Sequence, residues 1–195
     1  MGTVIDLNKK PTKKFEMLDS IEEYLSKLFP TIENDYIRCL HSFRLFLLEK
    51  NRRYGDSACT PVRIFSKLPA SSTICARIDD KLSRIMHSDL LRKNDVADLF
   101  GYIILLCDTQ GWSTLQLSES FEPTTLNHLV FSNKWEIKNG VQSLTSPATC
   151  FLLDTKIAYI EQAGSYTLIL LSDMMVEIVR LCGEMGWIDF SDLID

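Results

Sequence analysis

The stretch Ser72-Thr73-Ile74-Cys75-Ala76-Arg77-Ile78-Asp79-Asp80-Lys81-Leu82-Ser83-Arg84-Ile85-Met86-His87 decides the fold class. Ile74, Ile78, Leu82 and Ile85 recur at intervals of four, four and three, which puts them on one face of an α-helix. Ser72 suits the N-cap, and Pro69-Ala70-Ser71 reads as the loop before it. The same spacing recurs on both sides. Upstream, Met17, Leu18, Ile21, Tyr24, Leu25 and Leu28 predict a helix over 15–29, broken by Pro30. Tyr36, Ile37, Leu40, Phe43, Phe46 and Leu47 predict a long helix from about Ile32 to Arg53, capped by Thr31. A short helical piece is expected after Pro61. Downstream, Asn94 is a cap for a helix from Asp95 to about Thr109, with Val96, Leu99, Ile103 and Leu106 inside and Gly111 as the stop. The short connection between the helices ending at His87 and starting at Asp95 favours antiparallel packing.

Periodicity fails between Trp112 and Ser146. There Lys134-Trp135-Glu136-Ile137-Lys138 followed by Asn139-Gly140 resembles a hairpin with a type I′ turn. Ser146-Pro147 has the form of an N-cap with proline in the first turn, opening a helix to about Gln162. A last helix, begun near Tyr166 or recapped at Ser172, carries Met174, Ile178, Leu181 and Cys182 inward and ends at Gly186. The expected fold is mainly α: a helical bundle of about four to six helices with a small β-hairpin insertion or appendage. The expected divisions are a flexible arm over 1–14, a helical core over 15–111, a mixed segment over 112–146 and a C-terminal helical pair over 147–195.

Composition narrows the class. At 195 residues, 46% of them hydrophobic, the chain is long enough for one domain with a sizeable core. A sequence pI near 5.3 argues against a general nucleic-acid binder. The first fourteen residues lack the apolar run of a signal peptide. No apolar run approaches the roughly 20 residues of a membrane span. Cys39, Cys59, Cys75, Cys107, Cys150 and Cys182 form no Cys-x-x-Cys pair and do not group with His41, His87 or His128, so the pattern points to buried apolar cysteines in a reducing, cytoplasmic setting rather than zinc.

Charge is unevenly spread. From Lys50 to Lys93 there are ten Lys and Arg against four Asp and Glu, a local balance of +6, while the whole chain sums to −5. A basic band with carboxylates set among its cations suits an anionic ligand that brings a metal, and a nucleotide phosphate is the simplest candidate. Lys50, Arg53, Lys81 and Arg84 are the cations to meet phosphates, with Arg77 beside them. Tyr54-Gly55-Asp56-Ser57 can wrap a base or phosphate, although a helix C-terminus and turn also use glycine and cations. Asp95 and Asp98, three apart, share a helix face. They can hold a ligand there or simply favour the positive end of the helix dipole. Asp79 and Asp80 are poor helix formers in mid-helix. They serve either a salt-bridged outer face, with Asp80 four residues before Arg84, or a metal shared with the next helix.

Three blocks in order, Lys50-Asn51-x-x-Tyr54-Gly55-Asp56-Ser57, Arg77-Ile78-Asp79-Asp80-Lys81-Leu82-x-Arg84-Ile85 and Asp95 through Gly101-Tyr102, resemble the nucleotide modification associated domain family of bacteria and phages. The resemblance covers about residues 35 to 107. That family is itself similar to the all-α nucleotide pyrophosphohydrolases of the MazG and dimeric dUTPase kind. In those enzymes Glu-x-x-Glu on one helix and Glu/Asp-x-x-Asp on the next hold Mg2+, which activates water for attack on the phosphate chain. Asp95-x-x-Asp98 matches the second motif. The first is absent as such, and Asp79-Asp80 would have to replace it.

The resemblance implies a nucleotide-binding protein acting as a Mg2+-dependent (d)NTP pyrophosphohydrolase and forming a homodimer. It implies Asp80 and Asp98 as catalytic groups and Asp79, Asp80, Asp95 and Asp98 as metal ligands. Lys50, Arg53, Tyr54, Asp56, Ser57, Arg77, Lys81, Arg84 and Tyr102 would be the substrate contacts. The competing expectations are a non-catalytic module whose basic 50–93 band docks an acidic protein or nucleic-acid segment, and a sensor that binds a nucleotide without cleaving it. Nothing in the sequence assigns a role to the region after Trp112.

Overall fold

The computed structural model describes residues 14–30, 34–61, 68–88, 91–117, 135–138, 141–144 and 168–194. These residues are mainly helical. The helices are α1 (Glu16–Leu28), α2 (Asp35–Tyr54), α3 (Ala70–His87), α4 (Lys93–Gln110) and α5 (Leu168–Glu184), followed by a single 3-10 turn at Ser191–Leu193. Among the described residues no helix is long and apolar enough to cross a membrane. Two four-residue segments, Trp135–Lys138 and Val141–Leu144, run antiparallel. Their turn and both flanks lie outside the described residues, so the expected small hairpin is not supported as an element of the fold. The expected helices after Pro61 and over 147–162 also fall outside the described residues.

The apolar stripes build one core. Met17, Leu18, Ile21 and Leu25 of α1, Leu40, Phe43 and Phe46 of α2, and Leu99, Phe100 and Ile103 of α4 are all buried, as are the inward residues of α5. Helix α2 touches α1, α4 and α5, and α3 packs along α4. At the centre, Phe43 is stacked between Phe100 and Phe190, with ring centroids 4.2 and 4.1 Å away. Phe190 is held by its backbone N–H, which donates to Ser42 Oγ at 2.8 Å. Lys93 secures the same segment, with its ammonium 2.6 Å from Asp192 and 5.2 Å above the Phe190 ring.

Helix ends follow local chemistry, with three departures from the expected caps. Helix α3 starts at Ala70, so Ser72, expected as its cap, lies inside the first turn, and Pro69 precedes the helix with no side-chain cap. Helix α2 starts at Asp35, capped by Asn34 rather than Thr31. The Asn34 side chain accepts from Tyr36 N–H at 2.9 Å and donates to the Phe29 carbonyl at 3.0 Å, joining the end of α1 to the start of α2. Helix α4 starts before Asn94, at Lys93, with no side-chain cap. Gly111 ends it in the left-handed region at φ 72°, and Trp112 N–H closes onto the Cys107 carbonyl at 2.9 Å.

Gly183 lets α5 approach α2. A Cβ built there would lie 2.5 Å from Tyr36 Cδ1, and Tyr36 is itself packed on Phe29 at 4.7 Å. Alanine at a helix-interior glycine gains about 1 kcal/mol, and at Gly183, one residue from the end of α5, it gains less. Forcing an aromatic ring aside costs about 1–3 kcal/mol. Gly183→Ala is therefore expected to destabilise by about 1 kcal/mol net, read as a lower urea midpoint with an unchanged slope. A stabilised variant would mean that Tyr36 moves freely.

Candidate functional site

The C-terminal end of α2 forms one wall of a cavity of about 360 Å³, and the middle of α4, from Asp98 to Leu105, forms the other. Helix α2 ends where Gly55 adopts φ 60° and donates to the Asn51 carbonyl at 2.9 Å. Asp56 follows with φ 61°, also left-handed, a conformation that aspartate tolerates better than most residues. Its carbonyl accepts from Cys59 N–H at 3.0 Å and from Thr60 N–H at 2.9 Å. Its carboxylate accepts from Lys14 at 2.6 Å, and the same ammonium reaches Asn51 Oδ1 at 3.1 Å. The turn at 54–57 is thus pinned from both its main chain and its side chain. On the facing helix, Gly101 allows close approach, because a Cβ there would meet Leu47 Cδ2 at 3.0 Å.

Six residues expected from the sequence line this cavity: Lys50, Tyr54, Asp56, Ser57, Asp98 and Tyr102. The first and third sequence blocks therefore meet. Sequence reasoning gave no role to Phe15, Phe46, Leu47 and Leu105, which supply the apolar part of the lining, or to Asn51. Asn51 was visible beside Lys50. Phe15 is itself left-handed, at φ 64° just before α1, which no pattern announced.

The second block behaves differently. Lys81 is buried, and its ammonium lies 3.1 Å from Asp95 Oδ1 and 3.0 Å from Asp98 Oδ2. Burial alone would lower its pKa, but the hydrogen bonds and charges of Asp98 and Asp95 outweigh burial and raise it. Lys81 is thus the partner of the Asp95-x-x-Asp98 pair, not a free phosphate contact. Asp95 is as buried as Lys81, while Asp98 keeps 30% of its side chain exposed at the cavity.

Asp79 and Asp80 do not join Asp95 and Asp98. Asp79 is exposed, and Asp80 pairs with Arg84 at 3.2 Å along the outer side of α3. Among the described residues no group of three or more His, Cys, Asp or Glu is placed to hold a metal ion. Arg77, exposed on α3, and Arg84 do not line the cavity. Arg53 is also absent from the lining. It pairs with Glu49 at 2.8 Å beside Arg52, and these two guanidinium groups lower the Glu49 pKa to about 2.

Lys50 stands apart from these paired cations. Its ammonium lies 5.1 Å from the Phe46 ring centroid and 5.9 Å from that of Tyr54, and among the described residues it makes no ion pair. The two carboxylates lining the cavity each have a lysine of their own, Asp56 with Lys14 and Asp98 with Lys81. Among the described residues the cavity thus offers one cation without an ion pair, two tyrosines and an apolar floor.

A second recess of about 340 Å³ adjoins the far side of the turn, with Lys14, Asp56, Cys59 and Asp108 in its wall. Burial, followed by the Asp56 charge, pushes the Cys59 thiol up to about 11, so it is not a thiolate at neutral pH. Burial also raises Asp108, against the opposing hydrogen bond from Phe15 N–H at 3.2 Å. No family model matches this chain, and no match to it is found among the curated proteins or the solved structures.

Proposed function

We propose that this chain is a nucleotide-binding protein whose ligand, a nucleoside phosphate, occupies the cavity between the end of α2 and α4. The observation that carries this reading is the meeting of two blocks far apart in sequence, Lys50–Ser57 and Asp98–Tyr102, around one recess. Its volume, about 360 Å³, falls in the range of small-molecule sites. Tyr54 and Tyr102 offer faces for a base, worth about 1–3 kcal/mol where stacking is complete. Lys50 offers the phosphate a cation that no carboxylate among the described residues neutralises. Asp98 and Ser57 supply acceptors and a hydroxyl for sugar or base edges.

The resemblance to nucleotide modification associated proteins, and through them to pyrophosphohydrolases, supports the same ligand class. Cleavage of the phosphate chain is the less favoured part of that resemblance. Asp80 belongs to the outer ion pair of α3, and Asp98 is bridged by Lys81. Binding without turnover, as in a sensor, fits this arrangement better.

Calorimetric titration with a panel of ribo- and deoxynucleoside mono-, di- and triphosphates tests the reading. At least one nucleotide should bind, and Lys50→Ala should weaken it by about tenfold or more, the loss expected for a charge-assisted contact. Binding should fall only modestly with salt, unlike the steep loss shown by an extended polyanion. A folded wild-type protein that binds no member of the panel would refute the proposal. Product analysis on the same samples separates binding from hydrolysis.

A further inference from the structure

We infer that the Lys81 ammonium is a built-in cation standing where the resemblance calls for Mg2+, so that the pocket takes its nucleoside phosphate without a divalent metal. The inference rests on the nucleotide reading for the ligand, but not for the cation. Its basis is geometric. One ammonium lies 3.1 Å from Asp95 Oδ1 and 3.0 Å from Asp98 Oδ2. Lys81 is only 8% exposed and Asp95 only 5%. Two carboxylates of adjacent turns, brought this close at the edge of a core, require a positive partner. A metal could provide one, and here α3 provides it from Lys81.

The remaining half of a four-carboxylate site is missing. Asp79 and Asp80, which would have to complete it, lie off the buried stripe of α3, with Asp79 exposed and Asp80 paired with Arg84 at 3.2 Å. Mg2+ can be held by one or two carboxylates together with substrate phosphates. Two carboxylates alone therefore do not exclude it, and the lysine is what decides. A dication sharing Asp95 Oδ1 and Asp98 Oδ2 would be pressed against a buried ammonium that has no alternative carboxylate among its described contacts. One lysine charge for two carboxylates leaves the triad at −1, a local potential that does not attract a polyphosphate. The anion's counter-charge therefore falls to Lys50 across the cavity.

Mn2+ uptake, followed by electron paramagnetic resonance on the full chain, tests this without any nucleotide. Wild-type protein should show no Mn2+ binding that depends on Asp98. Lys81→Met keeps the apolar stem and removes the charge. It should gain a site that binds Mn2+ at least about tenfold tighter, as expected when two hard oxygen donors become available. Adding Asp98→Asn to that variant should remove the site. Nucleotide affinity of the wild type should persist in EDTA.

Wild-type Mn2+ uptake that Asp98→Asn abolishes would overturn the inference. So would nucleotide binding that is lost in EDTA, or a folded Lys81→Met that gains no Mn2+. Should Lys81→Met not fold, the comparison of wild type with Asp98→Asn decides alone. Absence of any nucleotide binding would instead refute the pocket assignment, leaving the Mn2+ results to judge the lysine.

Discussion

Lys81→Met is expected to lower the unfolding free energy by about 3 kcal/mol, because removing one partner of a buried ion pair strands the other charge. The full range for such a loss is about 3–5 kcal/mol. The lower end applies because Asp98, with 30% of its side chain exposed, can recover some hydration. Asp95 cannot, since it is only 5% exposed. Urea denaturation at neutral pH measures the loss. Asp95→Asn in the same chain should restore part of it, because the stranded buried charge is then gone, and a double-mutant cycle isolates the coupling. A loss below about 1 kcal/mol would place the triad among solvated surface pairs.

The sign of the pH dependence also follows. The folded-state pKa of Lys81 is raised above its ordinary value of 10.5. Its contribution is therefore fully present at neutral pH and is lost only as pH rises through the raised folded value. Wild type and Lys81→Met should converge in stability on the alkaline side of 10.5, not in acid, as far as this lysine is concerned.

The largest loss is expected from Phe43→Ala, at about 4 kcal/mol. Phe43 is fully buried and stacked on both faces, against Phe100 at 4.2 Å and Phe190 at 4.1 Å. Alanine would leave a gap between two rings anchored on different elements, Phe100 in α4 and Phe190 beyond α5, so neither can readily close it. Phe43→Leu should recover about half of the loss, since volume is largely kept while ring stacking is not. Phe43→Ala combined with Phe190→Ala should cost less than the two separate losses, because each single variant already breaks their shared contact. Equilibrium unfolding of Phe43→Ala, Phe43→Leu, Phe190→Ala and the double variant checks the set. A Phe43→Ala loss near 1 kcal/mol would mean the core collapses onto the gap.

Much of the helical frame was legible, because its apolar residues keep helical spacing over whole elements. Helices α1 to α4 lie within a few residues of where Met17–Leu28, Tyr36–Leu47, Ile74–Ile85 and Val96–Leu106 put them. The caps were less legible. Asn34 displaced Thr31 because its side chain can serve two helices at once, a tertiary reason invisible in a local window. The cavity was half legible: the tyrosine-glycine turn and the Asp98–Tyr102 segment could be named, but not that Phe15 and Leu105 would complete it.

The main misreading concerned Asp80 and Lys81. They are neighbours in sequence, but successive helical residues point about 100° apart. Lys81 stands three residues after Ile78 and four before Ile85, on the buried stripe itself, whereas Asp80 lies off it. The periodicity that identified the helix already carried this signal. Of the two neighbours, it is Lys81 and not Asp80 that meets Asp95 and Asp98.

The aromatic stack at the core has a further consequence for how the chain reaches its native state. Ser42, which anchors Phe190, is separated from it by 148 residues. Lys93 is separated from Asp192 by 99. During synthesis at about 5–20 residues per second, α2 emerges many seconds before the ring that closes its central stack. For that interval Phe43 has one aromatic neighbour at most, and the helices already made have no finished interior to commit to. The central stack of this chain is thus complete only once its Trp187–Leu193 segment has arrived, and chaperone dependence should be greatest for nascent chains that have passed Gln110 but not yet released Phe190.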